Sequence, residues 1–207
     1  GRYGDAEKLA QSLTQEFPEH QFSWKVLGAV LKQTGRITGS LTPMQKSVQL
    51  APQDAEAHSN LGNTFQELGR LDEAEASLIQ AIALKPDYAE AHYNLGITLK
   101  ELGRLDEAEV SCRQAIALKP DFAQAHYNLG NTLKKLGRID EAEASYRRAI
   151  ALKSDYAEAH SNLGSTLKEL GRLEESEASY IQAIALKPTY AEAHYNLGNT
   201  LKELGRL

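Results

Sequence analysis

The chain has 207 residues, with 23 Lys and Arg against 28 Asp and Glu, a net charge of -5 and a pI near 5.7. That balance has the wrong sign for a surface that reads phosphate, so nucleic acid is excluded as an expected partner. No apolar run approaches the ~20 residues that a membrane-spanning helix needs, and no charged-then-apolar leader opens the chain, so a cytoplasmic chain with no membrane partner is expected.

His58, His92, His126, His160 and His194 each open the phrase His-x-Asn-Leu-Gly, at a constant spacing of 34 residues. A period between 20 and 50 residues is the signature of a solenoid or a propeller. In the register that follows, residues 1–20 form a half unit carrying a second helix. Full units then run 21–54, 55–88, 89–122, 123–156 and 157–190, and residues 191–207 form a closing half unit with a first helix. The whole chain, 1–207, reads as one array.

Within each unit the apolar residues recur at helical spacing twice, broken by a glycine: Gly35, Gly69, Gly103, Gly137, Gly171 and Gly205. Glycine reaches the left-handed conformation that ends a helix without a Cβ penalty, so each marks the end of a first helix. Asp72-Glu73, Asp106-Glu107, Asp140-Glu141 and Glu174-Glu175 then place acid at the start of the second helix, toward the positive end of its dipole. Lys85, Lys119, Lys153 and Lys187 close it, and Pro52, Pro86, Pro120 and Pro188 forbid its continuation. Asp87 with Glu90, Asp155 with Glu158 and Thr189 with Glu192 spell capping boxes for the next first helix. The segment Thr38-Gly39-Ser40-Leu41-Thr42-Pro43 is irregular. Proline is cheap only in a first turn, which predicts that this second helix starts late, with Thr42 as its cap.

A unit of 34 residues is too small to bury a stable core alone, so its neighbours must supply the missing surface. Small residues at the eighth and twentieth positions, Gly62 against Ala74 and Gly96 against Ala108, let two antiparallel helices approach. Leu61, Leu95, Leu129 and Leu163 are placed to fill the space between units. Cys112, the single cysteine, has no internal mate, and its place in the apolar pattern predicts a small buried hydrophobe.

These residues resemble the tetratricopeptide repeat (TPR) pattern over the whole chain. Trp24, Leu27, Gly28, Leu31 and Pro52 carry it in the first full unit, and Leu95, Gly96, Leu99, Ala108, Ala115 and Pro120 in the third. The resemblance implies an all-α, right-handed α-solenoid, a superhelix of antiparallel helix pairs. The wording is similar to TPR arrays of bacterial proteins and to the superhelix preceding the catalytic domain of O-linked N-acetylglucosamine transferases. Departures are His in place of the usual Trp in all later units, Ser154 for Pro, and Ser40 and Ser176 for Ala.

In that family the first helices line the concave face, exposing the second, fifth, sixth, ninth, twelfth and thirteenth positions. The sixth is Asn60, Asn94, Asn128, Asn162 and Asn196. An amide both donates and accepts, so such a row can pair with the backbone of an extended peptide. This resembles the asparagine ladder of the O-linked N-acetylglucosamine transferases. Around it lie Tyr93, Tyr127 and Tyr195, then Lys100, Lys134, Lys168 and Lys202, with Glu67, Glu101, Glu169 and Glu203 beside the lysines. The carboxylate clamp by which some TPR domains hold acidic chaperone tails is disfavoured. Lys25 and Asn60 fit two of its positions, but Ala29, Glu90 and Asn94 stand where it needs another asparagine and two cations.

The five histidines sit one repeat apart on helices packed at ~8 to 10 Å and cannot share one zinc ion, so no metal and no other cofactor is expected, and the histidines read as replacements for tryptophan. The repeated acids are helix caps, with no unique pair suited to acid and base work, and no phosphate loop or Ser-His-Asp set can be assembled. The expected function is a non-catalytic protein-interaction scaffold holding an extended peptide or partner segment in its groove. The alternative is the substrate-recognition arm of a larger enzyme such as an O-linked N-acetylglucosamine transferase-like glycosyltransferase. The two terminal half units also suggest head-to-tail self-association.

Overall fold

A computed structural model describes residues 2–206, with side chains from Gly4 onward. Among these residues there are twelve α-helices and no strand: α1 (Arg2–Glu16), α2 (Gln21–Gln33), α3 (Ile37–Leu50), α4 (Ala55–Glu67), α5 (Leu71–Leu84), α6 (Ala89–Glu101), α7 (Leu105–Leu118), α8 (Ala123–Lys135), α9 (Ile139–Leu152), α10 (Ala157–Glu169), α11 (Leu173–Leu186) and α12 (Ala191–Glu203). Four full repeats are helix pairs in contact: α2 with α3, α4 with α5, α8 with α9 and α10 with α11. The helices gather into two compact units, Gly1–Gly103 and Arg104–Leu207, the first holding α1–α6 and the second α7–α12. The fold is an all-α solenoid of helical repeats.

The turn inside a pair is set by one glycine. Gly137, at φ 76°, takes the left-handed conformation, so the Arg138 N–H turns back to the Leu133 carbonyl at 3.0 Å and closes α8. All six glycines at this position have positive φ, and no other residue among those described does. The acids follow as expected, with Asp140 and Glu141 in the first turn of α9.

Two local expectations fail. The second helix of the first full repeat does not start late: α3 begins at Ile37 after Arg36 and carries Pro43 inside it. Burial overrides propensity here, because Ser40, Pro43, Met44 and Ser47 form the buried stripe of α3, and Met44 fills the space against Gly28 of α2. A start at Thr42 would strip the first of those residues from the helix. The capping boxes are also absent. The residue before α6 is Tyr88 and that before α10 is Tyr156, neither making a side-chain cap bond. The acid lies one residue too far out, and the aromatic instead receives the preceding lysine, with Lys85 Nζ 4.9 Å from the Tyr88 ring and Lys153 Nζ 4.9 Å from Tyr156. Where the acid itself is the last residue of the repeat the cap does form: Asp54 accepts from the Glu56 and Ala57 N–H groups at 2.9 and 3.2 Å.

Within a pair, the glycine at the eighth position admits the residue at the twenty-fourth. Gly62 lies against Leu78 and the Ala74 carbonyl, Gly130 against Tyr146, and Gly164 against Tyr180. In the second unit, Cys112, Leu129, Leu133, Ala142, Tyr146, Leu163 and Leu167 make one continuous cluster drawn from three successive repeats. Cys112 is wholly buried, as its pattern predicts. In the first unit, Met44, Leu61, Phe65 and Ala74 form a smaller cluster. Successive first helices touch, α2 with α4 and α4 with α6 in one unit, α8 with α10 and α10 with α12 in the other. Successive second helices do not: no Cα of α7 lies within 8 Å of α9, nor any of α9 within 8 Å of α11. The second helices therefore stand apart with clefts between them.

These approaches yield a paired prediction. A Cβ at Gly130 would lie 2.7 Å from Cε1 of the fully buried Tyr146, whereas one at Gly198 meets nothing within 4 Å. Gly130→Ala is expected to lose about 1–3 kcal/mol through overpacking, and Gly198→Ala to be neutral or to gain up to about 1 kcal/mol from helix propensity. Urea unfolding followed by circular dichroism measures both.

Candidate functional site

The recurrent histidine has a structural task. Nε2 of His58, His92, His126, His160 and His194 lies 2.9–3.1 Å from the backbone carbonyl six residues earlier, that of Pro52, Pro86, Pro120, Ser154 and Pro188. Trp24 donates its indole N–H to the Pro18 carbonyl at 2.7 Å in the same place. Histidine thus keeps the one polar contact of the tryptophan it replaces, and the carbonyl that proline leaves at a helix end acquires a donor. Among the described residues no cluster of His, Cys, Asp or Glu is arranged to hold a metal ion.

The sixth-position asparagines do not all face outward in the same state. Asn128 is buried and its amide donates to the Gln124 carbonyl at 3.2 Å. Asn162 donates to Tyr127 Oη at 3.1 Å and to Asn131 Oδ1 at 2.8 Å, joining α10 to α8. Asn60, Asn94 and Asn196 are half-buried, and no hydrogen bond from their side chains is present among the described residues. The backbone carbonyl of every one of the five accepts a buried threonine hydroxyl one turn on, from Thr64, Thr98, Thr132, Thr166 and Thr200 at 2.8–3.1 Å. That bond fixes the local helix, whatever the asparagine side chain does.

The tyrosines and lysines divide in the same way. Tyr127 packs on Tyr156 with ring centres 4.8 Å apart, and burial raises its hydroxyl above the usual phenol range. Tyr93 is half-buried, and Tyr195 is 71% exposed and open to solvent. The twelfth-position lysines bridge to the thirteenth-position glutamate of the next repeat: Lys134 to Glu169 at 2.8 Å and Lys168 to Glu203 at 2.8 Å, as Lys32 does to Glu67 at 2.9 Å. Lys100 is half-buried and also partnered. Lys25, a candidate for the carboxylate clamp, is already held by two carboxylates of this chain, Asp54 at 3.1 Å and Glu56 at 2.5 Å.

Asn131, at the ninth position, is a linking residue that reading the sixth position alone passes over. Its Oδ1 accepts from Tyr146 Oη at 2.9 Å and from Asn162 at 2.8 Å, joining three helices of two repeats. Burial pushes the Tyr146 hydroxyl far up and that of Tyr180, opposite Ser165, to about 12. In the matching repeat two units earlier, Leu78 stands where tyrosine would be and packs on Gly62, and the buried Oδ1 of Asn63 has no partner among the described residues. The sequence signal is a paired change: the ninth and twenty-fourth positions read Asn131 with Tyr146, Ser165 with Tyr180, Ala29 with Met44, and the mismatched Asn63 with Leu78.

The edge near the turns is charged. Arg138 binds Glu141 of its own helix at 2.7 Å and Glu109 of the previous repeat at 2.5 Å; Arg172 repeats this with Glu175 and Glu143, each at 2.7 Å. The arginine hydrogen bonds hold the Glu141 and Glu175 carboxyls below their ordinary range. Arg36 with Glu7 and Arg206 with Glu177 make the same reach across one repeat. At Arg70 the partner position is Leu41, and the guanidinium lies over the Phe65 ring at 4.6 Å instead.

Comparisons with known proteins bear on the repeat and its fold. Models of the "TPR repeat" match residues 62–103, 131–171 and 164–205, and models of the "Tetratricopeptide repeat" match 89–122, 44–76 and 111–144. Among solved structures, the thermophilic TPR protein TTC0263 of Thermus thermophilus is 27% identical, covering 88% of this chain and all of that one, with a TM-score of 0.71. The type IV pilus biogenesis factor PilW is 21% identical over 94% of this chain and 90% of that one, with a TM-score of 0.85. YrrB, described as a TPR protein with an unusual peptide-binding site, is 20% identical over 92% of this chain and 98% of its own, with a TM-score of 0.69. The last two likenesses are to the fold alone. No curated protein matches by sequence. Among the described residues no helix is long and apolar enough to cross a membrane.

Two outcomes follow from the polar contacts. Asn131→Leu leaves the Tyr146 hydroxyl and the Asn162 amide without their shared acceptor and is expected to cost about 1–3 kcal/mol, while Leu78→Tyr supplies Asn63 with a donor and is expected to gain about 1 kcal/mol. Chemical denaturation of the two variants compares them directly. Burial, against its bond to Pro120 and helped by nearby Arg148, lowers the His126 imidazole below its ordinary 6.5. A depressed base is neutral in the fold, so its stabilisation is complete above 6.5 and declines as pH falls through that value toward the folded one. The urea midpoint is expected to drop from about pH 7 to about pH 5.5, and His126→Gln to flatten that drop.

Proposed function

We infer the role of this chain from one premise: it belongs to the tetratricopeptide repeat family. The reading it supports is a non-catalytic scaffold that holds an extended segment of a protein partner along the first helices. The observation that carries this is in the first unit. Asn60 on α4 and Asn94 on α6 lie one repeat apart on touching helices, with their amides unpartnered among the described residues. An amide offers a donor and an acceptor, so two of them side by side suit the alternating backbone groups of an extended peptide. Tyr93, beside Asn94, supplies an aromatic surface of the kind that interfaces favour. Farther along, Asn128, Asn162, Tyr127, Lys134 and Lys168 are already engaged within the chain, and a guest there meets a preformed network. Asn196 and the exposed Tyr195 on α12 offer a second open place. The face carries no acid and base pair set apart from its repeats, so the reading involves no reaction.

Panning the chain against a library of extended peptides and titrating the recovered ligand by calorimetry tests this. Replacing Asn60 and Asn94 together by Ala is expected to weaken binding at least about tenfold, the loss of one to two well-made hydrogen bonds per site. Asn162→Ala is expected to lower stability more than affinity. Unchanged affinity in the Asn60 and Asn94 double variant contradicts the reading.

A further inference from the structure

The clefts between successive second helices are not equivalent. One, of about 400 Å³, lies between α7 and α9 over α8. Its floor is Ile116, Ala117, Leu129 and Ala144, and Arg113, His126 and Arg148 stand around it. The next, of about 370 Å³, lies between α9 and α11 over α10 and has the same floor one repeat on, Ile150, Ala151, Leu163 and Ala178. There Gln182 stands where the first cleft has Arg148. The same position is Lys46, Gln80 and Gln114 in the three preceding full repeats, so among the four full repeats over residues 55–190 Arg148 alone places a cation there.

The arginines also differ in what they already hold. Arg113 is engaged with Glu109 at 2.8 Å and Glu141 at 3.2 Å. Arg147, its counterpart at the second cleft, is engaged with Glu143 and Glu175 at 2.8 and 3.1 Å. Arg148 is exposed and has no ion pair among the described residues, and among arginines with described side chains it alone lacks one. An apolar trough open to solvent with one unneutralised guanidinium at its rim matches a ligand that joins an apolar body to a carboxylate.

We propose that the cleft between α7 and α9 is a docking site for an acidic segment of a protein partner, seating one aromatic or aliphatic side chain on Ile116, Ala117, Leu129 and Ala144 while Arg148 binds an adjacent carboxylate. The site is built around second helices of the second unit and does not depend on the Asn60 and Asn94 amides. A guanidinium forks two N–H donors toward a carboxylate, which a glutamine amide cannot reproduce. Selectivity between the two clefts therefore rests on one residue.

The test titrates the isotope-labelled chain by NMR with the blocked pentapeptide glutamate-glutamate-phenylalanine-glutamate-glutamate and with its glutamine analogue. The acidic peptide is expected to shift the amide signals of Ile116, Ala117, Ala144 and Arg148 saturably, and those of Ile150, Ala151, Ala178 and Gln182 far less. Arg148→Gln, at an exposed position, is expected to weaken binding about tenfold with an unchanged spectrum for the free chain, the scale of one charge-assisted contact. Gln182→Arg is expected to bring the second cleft into play. Double replacement of Asn60 and Asn94 is expected to leave these shifts intact, which separates this site from the first-helix face. Equal shifts in both clefts, equal binding of the glutamine analogue, indifference to Arg148→Gln, or no saturable shift in the first cleft overturns the proposal.

Discussion

Two helices in 34 residues can cover one another along a single stripe, and no more. In the second unit the Gly130 side of α8 is filled by Tyr146, yet Leu129 and Leu133 still need Cys112 on one side and Leu163 and Leu167 on the other. Domains of this size do not hold a core alone. The apolar flank that each pair leaves bare is the constraint on which the rest depends, because it forces every repeat to present a matching flank to its neighbour. Stability is then a sum of pair terms and neighbour terms, as in any linear array.

Within that constraint the repeats vary by compensated pairs. Tyr146 comes with Asn131, and Tyr180 with Ser165, each giving the buried hydroxyl a polar neighbour. Ser176 replaces the usual alanine and gives its hydroxyl to the Gly164 carbonyl at 2.8 Å. The mismatch at Asn63 and Leu78 is the exception, an amide oxygen buried without a donor. On the charged edge Leu41 removes an acid and Arg70 turns to an aromatic face. Repetition fixes the frame, while these local exchanges decide how firmly each joint is made.

Much of this was legible in the residues themselves. The period, the glycine turns, the acids at the second-helix starts and the burial of Cys112 all follow from local chemistry that one sequence displays. What was not legible depended on tertiary contact. Pro43 reads as a helix breaker, but a stripe that includes Met44 and Ser47 is buried against the neighbour, and burial outweighs propensity. The supposed capping boxes failed by one residue, because the aromatic at the helix entrance is claimed by lysine. The asparagine row is regular in sequence but uneven in space: Asn162 is tied to Asn131 of the preceding repeat and Asn128 to a carbonyl of its own helix, while Asn60, Asn94 and Asn196 make no side-chain hydrogen bond among the described residues.

The two faces therefore differ in kind. Within each unit the first helices touch and knit a polar surface in which a few amides stay open, whereas in the second unit the second helices stand apart and expose apolar troughs edged by arginine. A scaffold built of near-identical joints gains its individuality from the residues that break the repeat. The most direct measurement is equilibrium unfolding after excision of residues 123–156, which rejoins Phe122 to Ala157 in unchanged register. Neighbour-dependent packing predicts a shorter chain with undiminished helicity per residue, a smaller denaturant slope and a lower but cooperative midpoint. Loss of helicity throughout, or a midpoint that does not move, would contradict it.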